Sequence, residues 1–388
     1  MSIAEVQTKE DRVRAMMAAK GLDALLVRGV SNFAWLTDGA SNFVSVNAAD
    51  GNSWLLFTPT AKTVICNNIE ATRLRAEEGL EAQGCQIEAV PWHVAEDTVA
   101  RLTPGMRLGV DGFYPNALNV SADLAAWRML LLKGERERLR EIAAKAGEAI
   151  QAAALQAHPG MSEYEIAGAL AKEVLSRGMT PIVNLVGVDE RIWQHRHPLA
   201  TAKVMQRYAM LALGARCRGL VAAVSRLIHY GPLPEEVSHR QEAVARVDAT
   251  LIAATRPGAK VSDVFRRAQE AYAAVGFPEE WQFHHQGGAI GYEAREYRGT
   301  PTSAQIVQMG QAFAWNPSIA GAKSEDTILV EEHGNEIITA VGNHEEESGS
   351  VSSAVSAALA IGDKSDAHKS RVRHGKPDVS DVHDRVNY

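Results

Sequence analysis

An internal repeat in the second half of the sequence constrains the fold of this chain more than any other feature. His158-Pro159-Gly160 precedes a helical pattern that ends at Gly178, and Arg256-Pro257-Gly258 precedes one that ends at Gly276. In both copies the two glycines are 18 positions apart, and the copies are offset by 98 positions. A Pro-Gly turn redirects the chain, and a terminal glycine suits the left-handed conformation that caps a helix. The repeat predicts two duplicated α/β halves, whose shared crevice is the usual place for a ligand.

The first third of the sequence carries short apolar runs between polar segments. A helical mix of charged and apolar residues over 9–20 ends at Gly21, and the apolar run Ala24–Val27 that follows predicts a strand. Four further apolar runs predict strands: Trp35–Thr37, Trp54–Phe57, Val64–Cys66 and Arg107–Val110. Together they predict an α/β domain over 1–128.

A long charged helix is predicted to open the second domain. The segment from Leu131 to Gln156 has apolar residues at roughly helical spacing, and it begins a domain predicted over 129–343. A linker or a dimer contact is an alternative role for this helix. After Asn343 the chain becomes rich in serine and charge, so 344–388 is predicted to be a disordered tail. A length of 388 residues fits two domains and such a tail.

Charge and cysteine usage exclude several classes of function. The net charge is −7, and no stripe of lysine or arginine occurs, so nucleic acid is not an expected partner. No run of about eighteen apolar residues occurs, so we expect no membrane association and a cytoplasmic location. The three cysteines, Cys66, Cys85 and Cys217, lack the paired spacing of a zinc site and are expected to be reduced.

Four polar stretches in apolar surroundings are candidates for chemistry. They are Arg191–Pro198, Leu213–Arg226 (predicted as two strands around a turn), His284–Glu296, and Trp315–Pro317 with Lys323–Thr327. In order and spacing they resemble the motifs of the peptidase M24 family of aminopeptidase P, prolidase and creatinase, and the resemblance extends over residues 5–340. It implies an α/β fold with a creatinase-like N-terminal domain. It also implies a pita-bread domain of two pseudo-symmetric halves, which accounts for the repeat.

The resemblance implies a metal site that this sequence lacks the residues to form. Peptidases of the family hold two metal ions with two aspartates, a histidine and two glutamates. The matching positions here are occupied by Ala212, Ala223, Gly288, Asn316 and Glu325. Two divalent ions need several carboxylates or imidazoles in place of their lost hydration, and one carboxylate cannot supply this. We therefore expect no metal ion and no other cofactor.

Three other polar positions are predicted to carry the chemistry. The resemblance assigns His197 to the general acid/base of the metal-free creatinase branch, and histidine suits this role because its pKa lies close to neutral pH. Glu325 would orient water or a cationic group, and Arg295 could clamp a substrate carboxylate. The alternative for His197 is a turn histidine that is only hydrogen-bonded.

A wider set of polar residues is predicted to bind the substrate. The set comprises Arg226, His284, His285, Tyr292, Arg295, Glu296 and Asn316. Arg226 and Glu296 also have a structural interpretation, as partners of opposite charges on neighbouring strands. His284 and His285 could instead face the core or the solvent.

The leading hypothesis is a metal-independent hydrolase of a C–N bond in a small amide, amidine or peptide-like substrate. Creatine is disfavoured because the creatine-cleaving branch has a glutamate directly before the strand arginine, where this sequence has Ser225. One alternative is a catalytically inactive pita-bread module that binds peptides or histones. Another is a lyase or transferase that uses the same pocket. The resemblance also implies a homodimer.

Overall fold

The chain folds into two compact units. The computed structural model describes residues 3–94, 97–332 and 334–340, and the predicted tail 344–388 lies outside this range. The first unit comprises Met1–Leu139, Arg216–Val221 and Ile290–Glu296, and the second contains the remaining segments. The domain limits 1–128 and 129–343 come from sequence motifs rather than packing, and they stay predictions.

The first unit is built around a mixed β-sheet. Its helices are α1 Ile3–Lys20, α2 Val30–Leu36, α3 Asn68–Glu77, α4 Thr98–Leu102 and α5 Ser121–Arg128, and its strands are β1 Ala24–Gly29, β2 Asp50–Phe57, β3 Lys62–Asn67, β4 Gln86–Val90, β5 Leu108–Val110 and β6 Leu118–Asn119. Among the described residues the sheet has six strands in the order β4-β3-β2-β1-β5-β6. β2 pairs antiparallel with both neighbours, and β1 pairs parallel with β5. Leu26, Leu56 and Val110 from these strands meet in one apolar core.

Helix α2 corrects one expectation from the sequence. Trp35–Thr37 is predicted as a strand, but Trp35 and Leu36 belong to α2 and Thr37 caps it. Every residue of α2 is buried, so its apolar residues do not alternate with polar ones. A short run that is buried on all sides cannot be distinguished from a buried strand by periodicity. The other predicted strands of this unit are confirmed in β1, β2, β3 and β5.

The second unit contains two sheets, a hairpin and the helices of the repeat. Its helices are α6 Lys133–Gln156 (which begins in the first unit), α7 Glu163–Ser176, α8 Arg191–Gln194, α9 Glu235–Ala254 and α10 Val261–Ala274. Its strands are β7 Thr180–Val188, β8 Tyr208–Cys217, β9 Leu220–His229, β10 Gly287–Ile290, β11 Tyr297–Arg298, β12 Ala312–Trp315, β13 Ser318–Ile319, β14 Ala322–Lys323, β15 Asp326–Val330 and β16 Asn335–Ile337. One end of each of β8, β9 and β10 belongs to the first unit. Among the described residues the sheets have the orders β7-β8-β9 and β11-β10-β12-β15-β16, and β13 pairs with β14.

Backbone contacts confirm the repeat in this unit. The N–H of Gly160 donates to the oxygen of Met205 at 3.0 Å, and the N–H of Gly258 donates to the oxygen of Val307 at 2.9 Å. The two turns lead into α7 and α10, which are both 14 residues long. The glycines that end these helices have φ of +74° and +87°, as a left-handed cap requires.

Apolar side chains from α9, α10, β12 and β15 form the core of the second unit. Leu251, Tyr272 and Trp315 are among its buried members. The indole N–H of Trp315 donates to Oγ1 of Thr255 at 2.9 Å, which satisfies its one polar atom inside the core. Helices α9 and α10 bury apolar side chains in this core. In the described part of the chain, no helix is long and apolar enough to cross a membrane.

Candidate functional site

Three histidines come together in the second unit. His197 lies in the loop after α8, and His284 and His285 lie just before β10, from which Gln286 separates them. Nε2 of His284 lies 3.0 Å from Nε2 of His197, and one ring nitrogen from each of the three side chains lies within 4.8 Å of the other two. His284 is buried, His285 is half-buried and His197 is exposed. We name these three residues the histidine cluster; it joins one predicted catalytic residue to two predicted substrate-binding residues.

Burial and nearby cations keep His284 neutral. Burial, followed by the positive charge of Lys323, holds the pKa of His284 far below its usual value. Nδ1 of His284 lies 3.1 Å from Oγ of Ser318, and this hydroxyl also accepts a hydrogen bond from Arg196. A neutral imidazole has one N–H and one lone pair, so His284 donates through one ring nitrogen and accepts through the other.

This contact can set the tautomer of His197. When His284 donates its Nδ1–H to Ser318, its Nε2 can accept a hydrogen bond only from an N–H at Nε2 of His197. His197 then carries its lone pair on Nδ1, and a proton taken up there makes an imidazolium. The hydrogen bond to neutral His284 stabilises that cation. The pair is therefore suited to move a proton at Nδ1 of His197.

A buried ion pair lies in the same unit. Nζ of Lys323 lies 2.9 Å from Oε2 of Glu325, and their side chains are 4% and 5% exposed. Oγ of Ser225 donates to the same carboxylate oxygen at 2.7 Å. In the β13–β14 hairpin, Lys323 pairs with Ser318. One short hairpin thus carries both the hydroxyl that contacts His284 and the ammonium that lowers its pKa.

Arg226 and Asn316 lie on β9 and directly after β12. Nη2 of Arg226 lies 3.0 Å from Oδ1 of Asp326, which is the strand-to-strand pairing that its structural interpretation predicts. Asn316 is buried, and its backbone N–H donates to the oxygen of Gln286 at 3.0 Å. Its side-chain Oδ1 has no hydrogen-bond partner among the described residues. A buried acceptor of this kind is available to a ligand.

Comparisons with known proteins place these residues in a family. The model for metallopeptidase family M24 matches residues 137–332, about half of the chain, and the model for the creatinase/prolidase N-terminal domain matches residues 10–142. The chain belongs to metallopeptidase family M24. An uncharacterized peptidase of Staphylococcus haemolyticus is 25% identical over 217 residues, which cover 53% of this M24 chain and 61% of that relative, less than two thirds of its length.

Solved structures share the fold of this M24 chain. The prolidase from Pyrococcus horikoshii OT3 superposes with a TM-score of 0.74 at 19% identity, covering 87% of this chain and 99% of the prolidase. The N-terminal domain of the FACT complex subunit SPT16 from chickpea superposes with a TM-score of 0.67 at 14% identity, covering 88% and 97%. The expected fold is confirmed: a creatinase-like N-terminal domain and an M24 pita-bread domain.

The residues of this M24 chain do not fit the two-metal centre that the resemblance implies. Ala212 and Ala223, on β8 and β9, offer only methyl groups at the two aspartate positions. Glu325 is the one carboxylate in the set, and it is already in contact with the ammonium of Lys323. That ammonium neutralises the charge that a metal ion would require from its ligand.

The backbone also leaves no room for a side chain at the position of the M24 histidine. A Cβ added at Gly288 would lie 2.2 Å from the oxygen of Tyr297, and one added at Gly287 would lie 2.1 Å from the oxygen of Ala314. The φ angles of the two glycines are +154° and +93°, a region that other residues rarely adopt. Strand β10 therefore requires glycine at both positions.

Three predicted substrate-binding residues belong to the first unit and have partners there. Glu296 has a fully buried side chain and accepts a hydrogen bond from Nε of Arg128 at 3.1 Å. The opposite charge of its structural interpretation is present, but Arg128 ends helix α5 and does not lie on a strand. Tyr292 is buried and donates its hydroxyl to Glu135 at 2.8 Å. Arg295 donates to the backbone oxygen of the preceding residue at 2.6 Å. The structure does not group these three with the histidine cluster in one unit, and their substrate contacts stay predictions.

Sequence reasoning missed Lys323, although a signal was present. Lys323 and Glu325 are two positions apart, and in an extended segment such residues lie on the same face. The face that points Glu325 into the core therefore also buries the lysine, and a buried lysine needs a carboxylate. Ser318 was also missed, and nothing in the sequence around it indicates a contact with His284.

Proposed function

We propose that this M24 protein hydrolyses a C–N bond in a small amide, amidine or peptide-like substrate, without the two-metal centre of its family. The observation that carries the proposal is the buried pair of Lys323 and Glu325. A fixed ammonium contacts the carboxylate that the resemblance assigns to a metal ion. Membership of a metallopeptidase family supports hydrolysis of a peptide-type bond.

His197 is the proposed general acid/base. It takes a proton from water at Nδ1 while the water oxygen attacks the carbonyl or amidine carbon. It then gives this proton to the nitrogen that leaves as the C–N bond breaks. His284, 3.0 Å away and neutral, accepts the hydrogen bond from Nε2 of His197 and holds the ring in this tautomer.

Lys323 and Glu325 are proposed to supply the electrostatic environment of the reaction. Charges interact more strongly in a protein interior than in water, and a fixed ammonium favours the negative charge that develops when water adds to a carbonyl. Glu325 holds the ammonium, and Ser225 holds the carboxylate. In this proposal Glu325 is a positioning residue that acts through Lys323.

A chelator experiment with two histidine variants tests the proposal. Metal-free protein is assayed against a panel of small amides, amidines and dipeptides, with detection of the released amine. We expect turnover that does not depend on added metal and that disappears in His197→Ala. His195→Ala is the matched control, since His195 is exposed and lies outside the histidine cluster; it should retain the wild-type rate.

Two results would contradict the proposal. One is turnover that is lost with the chelator and restored by manganese, cobalt or zinc, together with about two ions per chain by elemental analysis. The other is an unchanged rate in His197→Ala, which would remove this residue from the mechanism. Analysis of the products separates hydrolysis from a lyase or transferase reaction, because only hydrolysis incorporates oxygen from labelled water.

A catalytically inactive binding module is the second candidate. The similarity in fold to the N-terminal domain of SPT16 favours it, together with the residues at the five metal-ligand positions. It requires no proton transfer, so His197→Ala would leave peptide or histone binding unchanged. Binding measured by calorimetry, with no turnover across the panel, would support this candidate.

The oligomeric state, the partners and the location of the protein are also proposals. We propose a homodimer with a small-molecule substrate, in the cytoplasm and without a nucleic-acid partner. Sedimentation at several concentrations measures the oligomeric state. A mass equal to one chain at all concentrations would contradict the dimer.

A further inference from the structure

We infer that the histidine cluster binds a single divalent transition-metal ion, and that this ion inhibits the reaction proposed above. The statement that an ion binds is argued from the geometry of His197, His284 and His285. The statement that it inhibits rests on the proposed function. The site is distinct from the two-metal centre of the family. None of the three histidines occupies one of the five matching ligand positions.

The nitrogens of the cluster lie close to the spacing that a metal ion requires. With Zn–N bonds of about 2.0–2.1 Å, two nitrogens around a tetrahedral ion are about 3.3 Å apart. Nε2 of His197 and Nε2 of His284 are 3.0 Å apart, and all three nitrogens lie within 4.8 Å of one another. The remaining adjustment falls on His197, which is exposed, and on His285, which is half-buried.

Two rings of the histidine cluster, those of His284 and His285, have hydrogen-bond partners outside the cluster. Ser318 lies 3.1 Å from Nδ1 of His284, which leaves Nε2 as the metal-binding nitrogen. A histidine ligand whose other nitrogen is hydrogen-bonded is the usual arrangement in metal sites. The N–H of Gly287 donates to Nδ1 of His285 over 3.3 Å, a long bond that the ring would give up in order to present this lone pair to the ion.

The ligand atoms and the nearby charges select the ion. Imidazole nitrogen suits zinc, copper and nickel, whereas magnesium, calcium and manganese prefer oxygen. Lys323 and Arg196 lie close enough to lower the pKa of His284, and the same charges oppose a divalent cation. We therefore expect zinc to bind less tightly than at a structural zinc site, and magnesium not to bind.

Metal binding and proton transfer compete for the same nitrogens. The ion requires the lone pairs on Nε2 of both His197 and His284, so the one proton of neutral His197 must move from Nε2 to Nδ1 of the same ring. With its proton on Nδ1, His197 can no longer accept one from water at that atom. Inhibition follows, and a higher pH favours the metal because fewer protons compete for the ring nitrogens.

Direct titration tests the site without an assay of activity. Metal-free full-length protein is titrated with Zn²⁺ by calorimetry and with Co²⁺ by visible absorption, and Mg²⁺ serves as the negative control. We expect about one ion per chain for Zn²⁺ and Co²⁺ and none for Mg²⁺. His285→Ala should weaken zinc binding by about tenfold or more. His195→Ala should leave it unchanged.

Two results of the titration overturn the site. One is the absence of zinc binding by protein whose circular dichroism shows a folded chain. The other is an equal zinc affinity in His285→Ala and wild type. Circular dichroism of each variant excludes unfolding as the cause of a lost affinity.

Measurements of turnover then distinguish a failure of this inference from a failure of the proposed function. Each rate is expressed relative to the metal-free rate of the same variant. We expect zinc to inhibit the wild type in parallel with binding, and His285→Ala to need about tenfold more zinc. Binding that raises the rate keeps the site but overturns inhibition. Binding without an effect on the rate overturns inhibition alone. Metal-free turnover without zinc binding overturns the site and leaves the proposed function in place.

Discussion

Both units of the protein contain buried ion pairs, and the Arg128–Glu296 pair of the first is built differently from the Lys323–Glu325 pair of the second. In the first unit, Arg128 contacts both carboxylate oxygens of Glu296 through Nε and Nη2, and it also donates to Asn32. In the second unit, the ammonium of Lys323 contacts one oxygen of Glu325. The guanidinium is a planar fork that matches a carboxylate, whereas the ammonium is a point charge with three rotatable donors.

This difference shows that burial of an ion pair does not by itself identify a functional site. The first pair has the two-point geometry of a guanidinium on a carboxylate. The second pair holds a positive charge near His284, where it changes the pKa of a neighbouring group. The following predictions distinguish an ion pair that only stabilises the fold from one whose charge acts on neighbouring groups.

The largest effect is expected at Arg128. Arg128→Ala leaves the Glu296 carboxylate buried without its partner, and it should lower the free energy of unfolding by about 5 kcal/mol. Urea unfolding measures this change. Arg101→Ala is the matched control, because Arg101 forms an exposed pair with Glu88, and its loss should cost less than about 1 kcal/mol. Equal losses in the two variants would show that burial does not matter here.

A smaller loss of stability is expected at Lys323, together with a loss of turnover. Lys323→Met leaves Glu325 uncompensated and should cost about 3 kcal/mol. The double variant Lys323→Met/Glu325→Met removes both charges and should recover most of the stability, because well-packed apolar residues replace such pairs at little cost. Neither variant should turn over substrate. A double variant that is stable and fully active would remove the pair from the mechanism.

Because His284 in the second unit is neutral, we predict that the free energy of unfolding falls in acid. The pKa of His284 is lowered in the folded state, so the unfolded state binds more protons below pH 6.5. The stability is therefore fully present above about pH 6.5 and falls by about 1.4 kcal/mol per pH unit below it. Between pH 7 and pH 5 the wild type should lose about 2 kcal/mol more than His284→Leu, measured by urea unfolding. Parallel pH curves would contradict a buried neutral His284.

The parts of the fold that the sequence predicts are those with a local signal. The repeat depends on Pro-Gly turns and cap glycines, and both copies appear at the expected positions. Trp35–Thr37 was predicted wrongly because a fully buried segment has no polar face to reveal its period. Local patterns therefore predict amphipathic elements better than buried ones.

The candidate site was predictable in its residue types but not in its contacts. His197 and His284 are 87 positions apart in the sequence, and their contact depends on how the loop after α8 meets the segment before β10. The partner of Lys323 is two positions away, so this pair was within reach of sequence reasoning. Ser318 needed the hairpin register to be recognised.

The crowded backbone of Gly287 and Gly288 limits which substitutions strand β10 can accept. A single change from glycine to histidine at 288 would place a side chain against the backbone of Tyr297 and Arg298. A useful side chain at 288 would therefore require the neighbouring strands to separate. The crowded backbone thus opposes the introduction of a histidine at this position by a single substitution.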